Sequence, residues 1–277
     1  MVSVICLSYN HERFVGEALQ SIFDQTYSNI EIIVYDDASE DDTVREIEKA
    51  IEGHHNIKFL KSTNNLGNCR AFNKAFAEST GAFLIDLAAD DLLMPERVAA
   101  GVADFLEADE DVGVQYGRAE MIDEEGNLLD RKIRSSQAPV DGDVYLDVIQ
   151  RYFINPTTMM IRRGVLEQMG GYNEQLTYED FDFWIRSART WKYKYRPEVL
   201  TRKRQVKRSL SSKQFQAFSR HQKSTLAVCQ TILALNHSRE EDQALRGRVL
   251  YEIRRAIGVG NLHLVPGYLA IYARSFR

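Results

Sequence analysis

The sequence has few of the features that mark secreted, membrane-spanning or metal-cluster proteins. Its 277 residues include only three cysteines, Cys6, Cys69 and Cys229, which are far apart and lack the spacing of metal ligands. We therefore expect reduced core residues of a cytoplasmic protein. No window reaches the ~18 apolar residues of a membrane span, and no basic leader precedes the first strand-like segment. We expect neither export nor a transmembrane anchor.

Other absences narrow the functional class. The six histidines have no ligand spacing, and no Gly-rich phosphate loop follows the first apolar run, which argues against a sugar-nucleotide pyrophosphorylase. A net charge of −5, from 35 basic and 40 acidic residues, argues against a general nucleic-acid binder. One segment, Arg186–Arg208, is nevertheless rich in Lys and Arg. It suits anionic phosphates or an anionic membrane face, and equally a solvated surface.

The first half of the chain alternates strand-like and helix-like segments. Apolar residues between Glu12 and Gln25, for example, recur at helical spacing. The predicted strands are 2–7, 30–35, 57–61 and 81–87, and the predicted helices are 12–25, 43–51 and 68–78. This order predicts an α/β fold with a mostly parallel sheet between helices, in which ligands bind beyond the carboxyl ends of the strands.

The second half is less regular. We predict a helix after Pro95, a strand at Val112–Tyr116 and a loop over residues 131–143. A strand near 157–161 and a helix near 164–169 follow, and a further helix begins close to Asp180. From about Phe215 the sequence is mostly helical.

Two pairs of adjacent carboxylates follow strands of the predicted sheet. Asp36 and Asp37 end the second strand, and Asp90 and Asp91 come shortly after the fourth. Like charges held together disfavour each other's ionised form unless a cation or hydrogen-bond donors lie between them. One pair alone is better explained by helix capping or exposure. Two pairs at one sheet edge favour a nucleoside diphosphate with a divalent cation, because hard cations prefer oxygen ligands.

A series of motifs in the same order resembles one known family. The stretch SVICLSYNHERFVGEALQSIFDQTYSNIEIIVYDDASEDDT resembles the opening of the family 2 glycosyltransferases, with S-V-I-x-x-x-Y-N, S-I-x-x-Q-T-Y and a strand ending D-D-x-S-x-D-x-T. The resemblance continues through NNLGNCRAFNKAF, STGAFLIDLAADDLLMPERV and GGYNEQLTYEDFDFWIR. It covers about residues 2–210.

The resemblance implies a Rossmann-like GT-A fold that transfers a sugar from a nucleotide donor to an acceptor hydroxyl with inversion. It implies a GT-A domain at 1–212, with a nucleotide-sugar-binding half at 1–118 and an acceptor-binding half at 119–212, and a C-terminal helical extension at 213–277. The implied donor is a UDP- or dTDP-sugar. The implied acceptor is a glycan or a lipid-linked molecule of bacterial cell-surface synthesis. A cytoplasmic enzyme peripheral to the inner membrane face fits such an acceptor. The aromatic, aliphatic and Arg residues of 249–257 and 262–277 suit a membrane surface, a partner or plain packing.

The resemblance also implies roles for individual residues. Asp37 matches the residue that binds the nucleotide base, Asp90 would face the ribose or donor sugar, and Asp91 would bind Mg²⁺ or Mn²⁺. Asp180 matches the catalytic base, although with Glu179 it could instead stabilise a helix N-terminus. The other implied nucleotide-sugar-binding residues are Leu7, Tyr9, Glu12 and Arg70, of which Arg70 touches phosphate or lies on a solvated helix face. We also expect Glu179 and Asp182 to raise the pKa of Asp180.

The chain departs from the family pattern at two positions. Ala88 stands where many relatives have the first Asp of L-D-x-D-D, and Val206 stands where some have a histidine that reaches the metal. Metal binding is then weaker, or Lys207 or Arg208 neutralises the diphosphate instead. The departures leave a catalytically inactive nucleotide-sugar-binding relative as the alternative.

Overall fold

Eight strands form one mixed sheet in the described part of the chain, in the order β3-β2-β1-β4-β7-β6-β8-β5. The structure is a computed structural model that describes residues 1–54, 56–129, 139–206 and 220–276. The strands are β1 (Val2–Ser8), β2 (Ile30–Asp36), β3 (Ile57–Lys61), β4 (Phe83–Ala88), β5 (Leu92–Leu93), β6 (Val112–Ile122), β7 (Met160–Arg162) and β8 (Lys192–Arg204). The helices are α1 (Val15–Phe23), α2 (Thr43–Ala50), α3 (Asn68–Ala77), α4 (Arg97–Glu107), α5 (Tyr145–Gln150), α6 (Arg163–Met169), α7 (Asp180–Ser187), α8 (Arg220–Leu235), α9 (Arg239–Gly258) and α10 (Val265–Arg274).

The first four strands are parallel to one another, as the sequence predicts. β1 pairs with β2 on one side and with β4 on the other, so the carboxyl ends of three strands lie side by side. Every residue of β1 is buried, which is typical of a strand covered by helices on both faces. Alternate residues serve the two cores: Ile5 belongs to one hydrophobic cluster, and Val4 and Cys6 to the other. The predicted α/β sheet between helices is confirmed.

The basic segment forms a strand that the sequence did not reveal. β8 runs parallel to β6 over 13 residues, and β7 lies antiparallel between β4 and β6. Carboxylates neutralise most cations of β8 at short range: Arg196 bonds Asp104 at 2.7 Å, and Arg202 bonds Glu120 at 3.2 Å. A strand rich in cations is stable here because most of these cations form an ion pair with an acidic neighbour.

Three differences from the predicted elements concern the second half. β6 continues to Ile122, six residues beyond the predicted strand, because it pairs with β8 along its whole length. The predicted loop over residues 131–143 lies partly outside the described residues, and Gly142 forms a bridge with Tyr193 of β8. Helix α5, which was not predicted, follows that loop and buries Tyr145, Val148 and Ile149.

The C-terminal helices share the core of the sheet. Val228 and Ile232 of α8 and Val249 of α9 belong to the same hydrophobic cluster as Phe181 of α7. A capping box between Ser238 and Glu241 starts α9. The predicted boundary between residues 212 and 213 lies outside the described residues. No helix in the described ranges is long and apolar enough to cross a membrane.

Candidate active site

The loop after β2 is held by its own carboxylates. Asp36 accepts hydrogen bonds from the Ser8 hydroxyl at 2.9 Å and from the Ser39 amide at 2.9 Å. Asp37 is 5% exposed and accepts the backbone N–H groups of Leu66 and Gly67, both at 2.8 Å. Burial raises the pKa of Asp37, while the two amides lower it. Asp37 therefore ties β2 to the start of α3 and retains one lone pair on each oxygen for a ligand.

Strained backbone marks the same edge of the sheet. Asn10, after β1, has φ 57°, and Ala38, after β2, has φ 63°. They are the non-glycine residues with positive φ in the described ranges. Such a conformation is unusual for alanine and persists only where neighbouring contacts impose it. Here Asn10 bonds the Ser39 hydroxyl and the Glu40 amide at 2.9 and 2.8 Å. The two loops thus form one fixed unit.

The remaining residues predicted to bind the nucleotide sugar lie at different depths. Leu7 is buried at the end of β1, and its carbonyl accepts the Ala89 amide at 2.9 Å. Tyr9 is 40% exposed beside it, and Glu12 accepts the Asp42 amide at 2.9 Å. Leu7, Tyr9 and Glu12 therefore lie around the two loops that follow β1 and β2. Arg70 instead pairs with Glu174 at 3.7 Å, on a half-exposed face of α3.

The Asp90–Asp91 turn is fixed from two sides. Asp91 is 4% exposed, and its two oxygens accept from the Thr157 hydroxyl at 2.9 Å and the Arg204 amide at 2.8 Å. The Asp90 carbonyl accepts from the Arg204 guanidinium at 3.0 Å. The Asp90 carboxylate is partly exposed and accepts no hydrogen bond from the described residues. It is therefore available to a ligand.

Arg204, at the end of β8, is the residue that holds this turn. Its guanidinium is 1% exposed and reaches Glu17 of α1 at 2.5 Å. It also donates to the carbonyls of Asp123 and Glu124 at 3.1 and 3.2 Å, and lies over the ring of Phe14 at 4.9 Å. One side chain therefore joins β8, the loop after β6 and α1 to the acidic turn.

A second acidic pair lies at the start of α7. Glu179 accepts the Asn68 side-chain amide at 2.5 Å, which links it to the α3 terminus that Asp37 holds. Asp180 accepts the N–H of Phe181 at 2.6 Å, as expected for a helix N-terminus. Asp182, which was expected to act on Asp180, pairs with Arg186 at 2.7 Å instead.

Burial, and then an adjacent carboxylate, raises the pKa values of several of these carboxyl groups. Burial, followed by the charge of Asp90, raises the pKa of Asp91 to about 7. Burial, followed by the charge of Glu179, raises the pKa of Asp180 to about 7. The pKa of Asp86 is also well above its usual value because of burial and Glu179, while the Tyr172 hydroxyl donates to it at 3.2 Å. Carboxyls with shifted pKa values in one place are typical of a functional site.

Lys203 provides the opposing charge. Its ammonium lowers the pKa values of Asp91, Glu179 and Asp180, which come from separate parts of the chain. The site therefore combines five carboxylates with this lysine, and we call them the acidic cluster: Asp86, Asp90, Asp91, Glu179, Asp180 and Lys203. The charge of Lys203 lowers the pKa of both Asp91 and Asp180, the two residues that were predicted from the sequence. Asp37 adjoins the cluster through residues 66–68, and Arg70 lies apart.

The carboxylate oxygens of the acidic cluster suit a hard cation that takes its remaining ligands from phosphate and water. All its candidate ligands are carboxylate oxygens, of which Asp90 and Asp91 are adjacent. No group of three or more His, Cys, Asp or Glu side chains arranged to hold a metal occurs in the part of the chain that the structure describes. The protein oxygens therefore fit a Mg²⁺ or Mn²⁺ ion that takes its other ligands from phosphate and water. Lys207 and Arg208, the other candidate counter-charges, lie outside the described residues.

The chain belongs to the glycosyltransferases. The model of the family described as "Glycosyl transferase family 2" matches residues 3–170, so the protein is a member of that family. An "Uncharacterized glycosyltransferase" of Haemophilus influenzae is 28% identical over 211 residues, which is 74% of this chain and 65% of that protein. Matches to other curated relatives span as little as 34% of their length.

Solved structures confirm the fold. The crystal structure of S. aureus TarS 1–349 in complex with UDP-GlcNAc superposes with a TM-score of 0.76 and 19% identity, over 100% of this chain and 81% of that one. The mannosyltransferase PcManGT from Pyrobaculum calidifontis, in complex with GDP-Man and Mn²⁺, gives a TM-score of 0.67 at 19% identity, over 98% and 74%. The predicted GT-A fold with a helical C-terminal region is therefore present.

Proposed function

We propose that the protein is an inverting glycosyltransferase that moves a sugar from a nucleotide-diphosphate donor to an acceptor hydroxyl. The observation that carries this proposal is that hydrogen bonds through residues 66–68 link Asp37 to Glu179, which precedes Asp180, while Asp91 follows β4 at the same edge of the sheet. The cluster adjoins the carboxyl ends of parallel strands, where α/β folds bind nucleotides. We assign residues 1–118 to donor binding, 119–212 to acceptor binding and 213–277 to a helical extension.

Asp180 is our candidate general base. An ordinary carboxylate is too weak a base to hold an alcohol deprotonated, but it can take the proton while the hydroxyl attacks. The pKa of about 7 makes Asp180 a better base than a surface aspartate, and burial beside Glu179 is the cause. Attack from the side opposite the departing diphosphate inverts the anomeric carbon in one displacement.

We propose that the donor nucleotide binds over the strained loops after β1 and β2. Asp37 can accept a base N–H, while Leu7, Tyr9 and Glu12 surround the same position. Asp90 would accept from ribose or donor-sugar hydroxyls. UDP and dTDP are our first candidates, since the TarS structure is a complex with UDP-GlcNAc, and GDP is the next, since the PcManGT structure is a complex with GDP-Man.

Asp91, with Asp90, would hold the divalent cation. When bound, Mg²⁺ or Mn²⁺ stabilises the negative charge that develops on the leaving diphosphate. Thr157 and the Arg204 amide orient the Asp91 carboxylate for this task. Lys203 offers the diphosphate a second positive charge.

For the acceptor we propose a glycan or lipid-linked molecule, used by a cytoplasmic enzyme peripheral to the membrane. Exposed apolar side chains on the C-terminal helices support membrane contact, since Ile257, Leu262 and Phe276 are 54%, 60% and 63% exposed. Exposed Arg254 and Arg274 lie among them and would attract anionic lipids. Co-sedimentation with anionic but not neutral vesicles would support this contact, and its absence with both would refute it.

A nucleotide-release assay tests the central proposal. The protein is mixed with UDP-, dTDP- and GDP-sugars, Mn²⁺ and glycan acceptors, and released nucleotide is measured. We expect release with one donor base and none with Asp180→Asn. Nucleotide binding without any turnover would favour the inactive relative, which the departures at Ala88 and Val206 keep as the alternative.

A further inference from the structure

Helix α3 binds the segment that leads into α7 at two points. Near its end, the Asn73 side chain accepts the N–H of Tyr172 at 2.8 Å and donates to the carbonyl of the same residue at 2.9 Å. At its start, the Asn68 side-chain amide donates to Glu179 at 2.5 Å. Glu179 directly precedes Asp180, the candidate base. The position of the acidic pair at the start of α7 therefore depends on α3.

The start of α3 is itself fixed by the candidate nucleotide pocket. The N–H groups of Leu66 and Gly67 donate to the two oxygens of Asp37, each at 2.8 Å. Gly67 has φ 83°, a conformation that glycine adopts readily and other residues rarely do. Three consecutive residues thus bind two carboxylates, Asp37 through backbone amides and Glu179 through the Asn68 side chain.

The hydrogen bond from Asn68 acts on the charge of Glu179. Burial raises the pKa of Glu179, while its own backbone N–H, the Asn68 amide and the charge of Lys203 lower it. An N–H donor favours the ionised form of a carboxyl group, because it compensates for part of the lost hydration. Asn68 has no charge of its own, so it acts on Glu179 through this bond.

The charge of Glu179 in turn acts on Asp180. Burial, followed by the charge of Glu179, raises the pKa of Asp180 to about 7. A protonated Glu179 would remove the second of these causes. The donor at position 68 therefore affects the candidate base without contacting it, by keeping the neighbouring carboxylate charged.

The effect of Asn68 is confined to one carboxylate. Lys203 lowers the pKa values of Asp91, Glu179 and Asp180 together, whereas the Asn68 amide bonds only Glu179 among the described residues. The other titratable groups that interact with Glu179 come from β4, α3 and the segment before α7, and they are Asp86, Cys69 and Tyr172. None of these three supplies a positive charge, so Asn68 and Lys203 are the side chains that favour ionised Glu179 in the described ranges.

We propose that Asn68 is a positioning residue for the transfer reaction, whose side-chain amide holds Glu179 ionised beside the base Asp180. This inference rests on the proposed glycosyl transfer for its role in catalysis. The segment that carries Asn68 also carries the amides bound to Asp37, so the nucleotide pocket and the base are fixed by one short stretch of chain.

The first measurement needs no substrate. The carboxyl groups of the full chain are titrated by ¹³C NMR, with Glu179→Gln and Asp180→Asn used to assign the two signals. In Asn68→Ala, the pKa of Glu179 should rise by about one pH unit and that of Asp180 should fall. Asn68→Asp has the same shape, suits a helix N-terminus and cannot donate, so it should raise the pKa of Glu179 at least as much. Asn127→Ala, which removes an exposed amide bond to Asp123 at 3.1 Å, is the control that should change neither value.

The second measurement uses the reaction. In Asn68→Ala, the rise of kcat/KM with pH should move to lower pH, because Asp180 loses its proton more easily beside a neutral Glu179. Nucleotide affinity should stay nearly unchanged, since Asp37 binds backbone amides that the substitution retains.

Three results would overturn the inference. A fall of both pKa values in Asn68→Ala would show that Asn68 only packs against the pair and excludes water. Unchanged values would show that its hydrogen bond has no effect, and so would an Asn68→Asp variant that titrates like the unaltered chain. Absence of turnover in the unaltered chain contradicts the proposed function instead, and the NMR titration still decides the role of Asn68, so the two failures are distinguishable.

Discussion

At the residue scale, two opposing effects set the pKa values of the acidic cluster: burial beside other carboxylates raises them, and the charge of Lys203 lowers them. Asp91 and Asp180 have pKa values of about 7 because they are buried beside other carboxylates. Lys203 opposes that effect from β8. The donor diphosphate would add negative charge to this site, which is the reason for proposing that a divalent cation binds with it. The charges that would govern donor binding therefore come from three separate segments of the chain, around Asp91, Asp180 and Lys203.

The first prediction concerns Asp180. Asp180→Asn should lower turnover by about 10²–10⁴-fold, because the amide cannot take a proton. Nucleotide affinity, measured by calorimetry, should remain nearly unchanged. Asp109→Asn, at an exposed position, is the matched control and should retain full activity. Equal loss of affinity and turnover would assign Asp180 a structural role at the helix N-terminus.

The second prediction concerns Lys203 and pH. A base with a pKa of about 7 must be deprotonated to act, so kcat/KM should rise as the pH increases through about 7. Because Lys203 lowers the pKa of Asp180, Lys203→Met should move this rise to higher pH, by up to about one unit. Lys203→Arg should restore the profile, and Lys194→Met, at a surface ion pair, should leave it unchanged. An unshifted profile would show that Lys203 does not act on the base.

At the element scale, β8 is the strand that assembles the site. It carries Lys203 into the cluster and places Arg204 against the Asp90–Asp91 turn. Arg204 also reaches α1 through Glu17, so one strand end fixes elements from both halves of the chain. The planar fork of arginine allows these several bonds at once.

The third prediction therefore compares two neighbouring arginines. Arg204→Met should lower the free energy of unfolding by about 2–4 kcal/mol, since it removes a buried guanidinium that joins Glu17 to three backbone carbonyls. Arg202→Met removes a half-exposed pair with Glu120 and should cost at most about 1 kcal/mol. Urea denaturation measures both. Similar losses from the two variants would mean that Arg204 is not the special contact.

The elements also explain how far the sequence could be read. The alternation of strand-like and helix-like segments predicts β1 to β4, because helices α1 to α3 connect these strands in order along the chain. β8 escaped prediction because its charges conceal the period of two. Only the positions of Asp104 and Glu120, distant in sequence, reveal that its cations are paired.

The same limit applies to the site. Asp91 and Asp180 could be predicted since they belong to local motifs of a known family. Lys203, Arg204 and Thr157 could not, because nothing near them in sequence indicates an acidic partner. Their roles depend on tertiary contacts, because the fold places the end of β8 and the segment before β7 against the Asp90–Asp91 turn.

At the scale of the whole molecule, the cluster makes stability depend on pH. The pKa of Asp180 is about 7 in the folded protein, whereas an unperturbed aspartate has a pKa of 3.8. Between those values the folded state binds more protons than the unfolded state, so stability falls as the pH rises. This direction is opposite to that of a salt-bridged aspartate.

The fourth prediction follows from that sign. Without ligands, the free energy of unfolding should be higher at about pH 5 than at about pH 8. Asp180→Asn should reduce the difference, because it removes one of the groups that titrate, while Asp109→Asn should not. Chemical denaturation at the two pH values is the measurement. A difference of the opposite sign would show that other ionisable groups dominate.

The final prediction joins metal and nucleotide. The described residues hold no group of three metal ligands, so Mn²⁺ alone should bind weakly and raise the Tm little. A nucleoside diphosphate alone would meet Asp91 and Asp180 as repelling charges. Together, the cation neutralises the carboxylates while the diphosphate completes its ligand shell, so the Tm increase with both should exceed the sum of the separate increases. EDTA should abolish the excess, and Asp91→Asn should do the same. Additive shifts would mean that the cation and the nucleotide bind independently, and the acidic cluster would then not be the site where a metal-bridged donor is held.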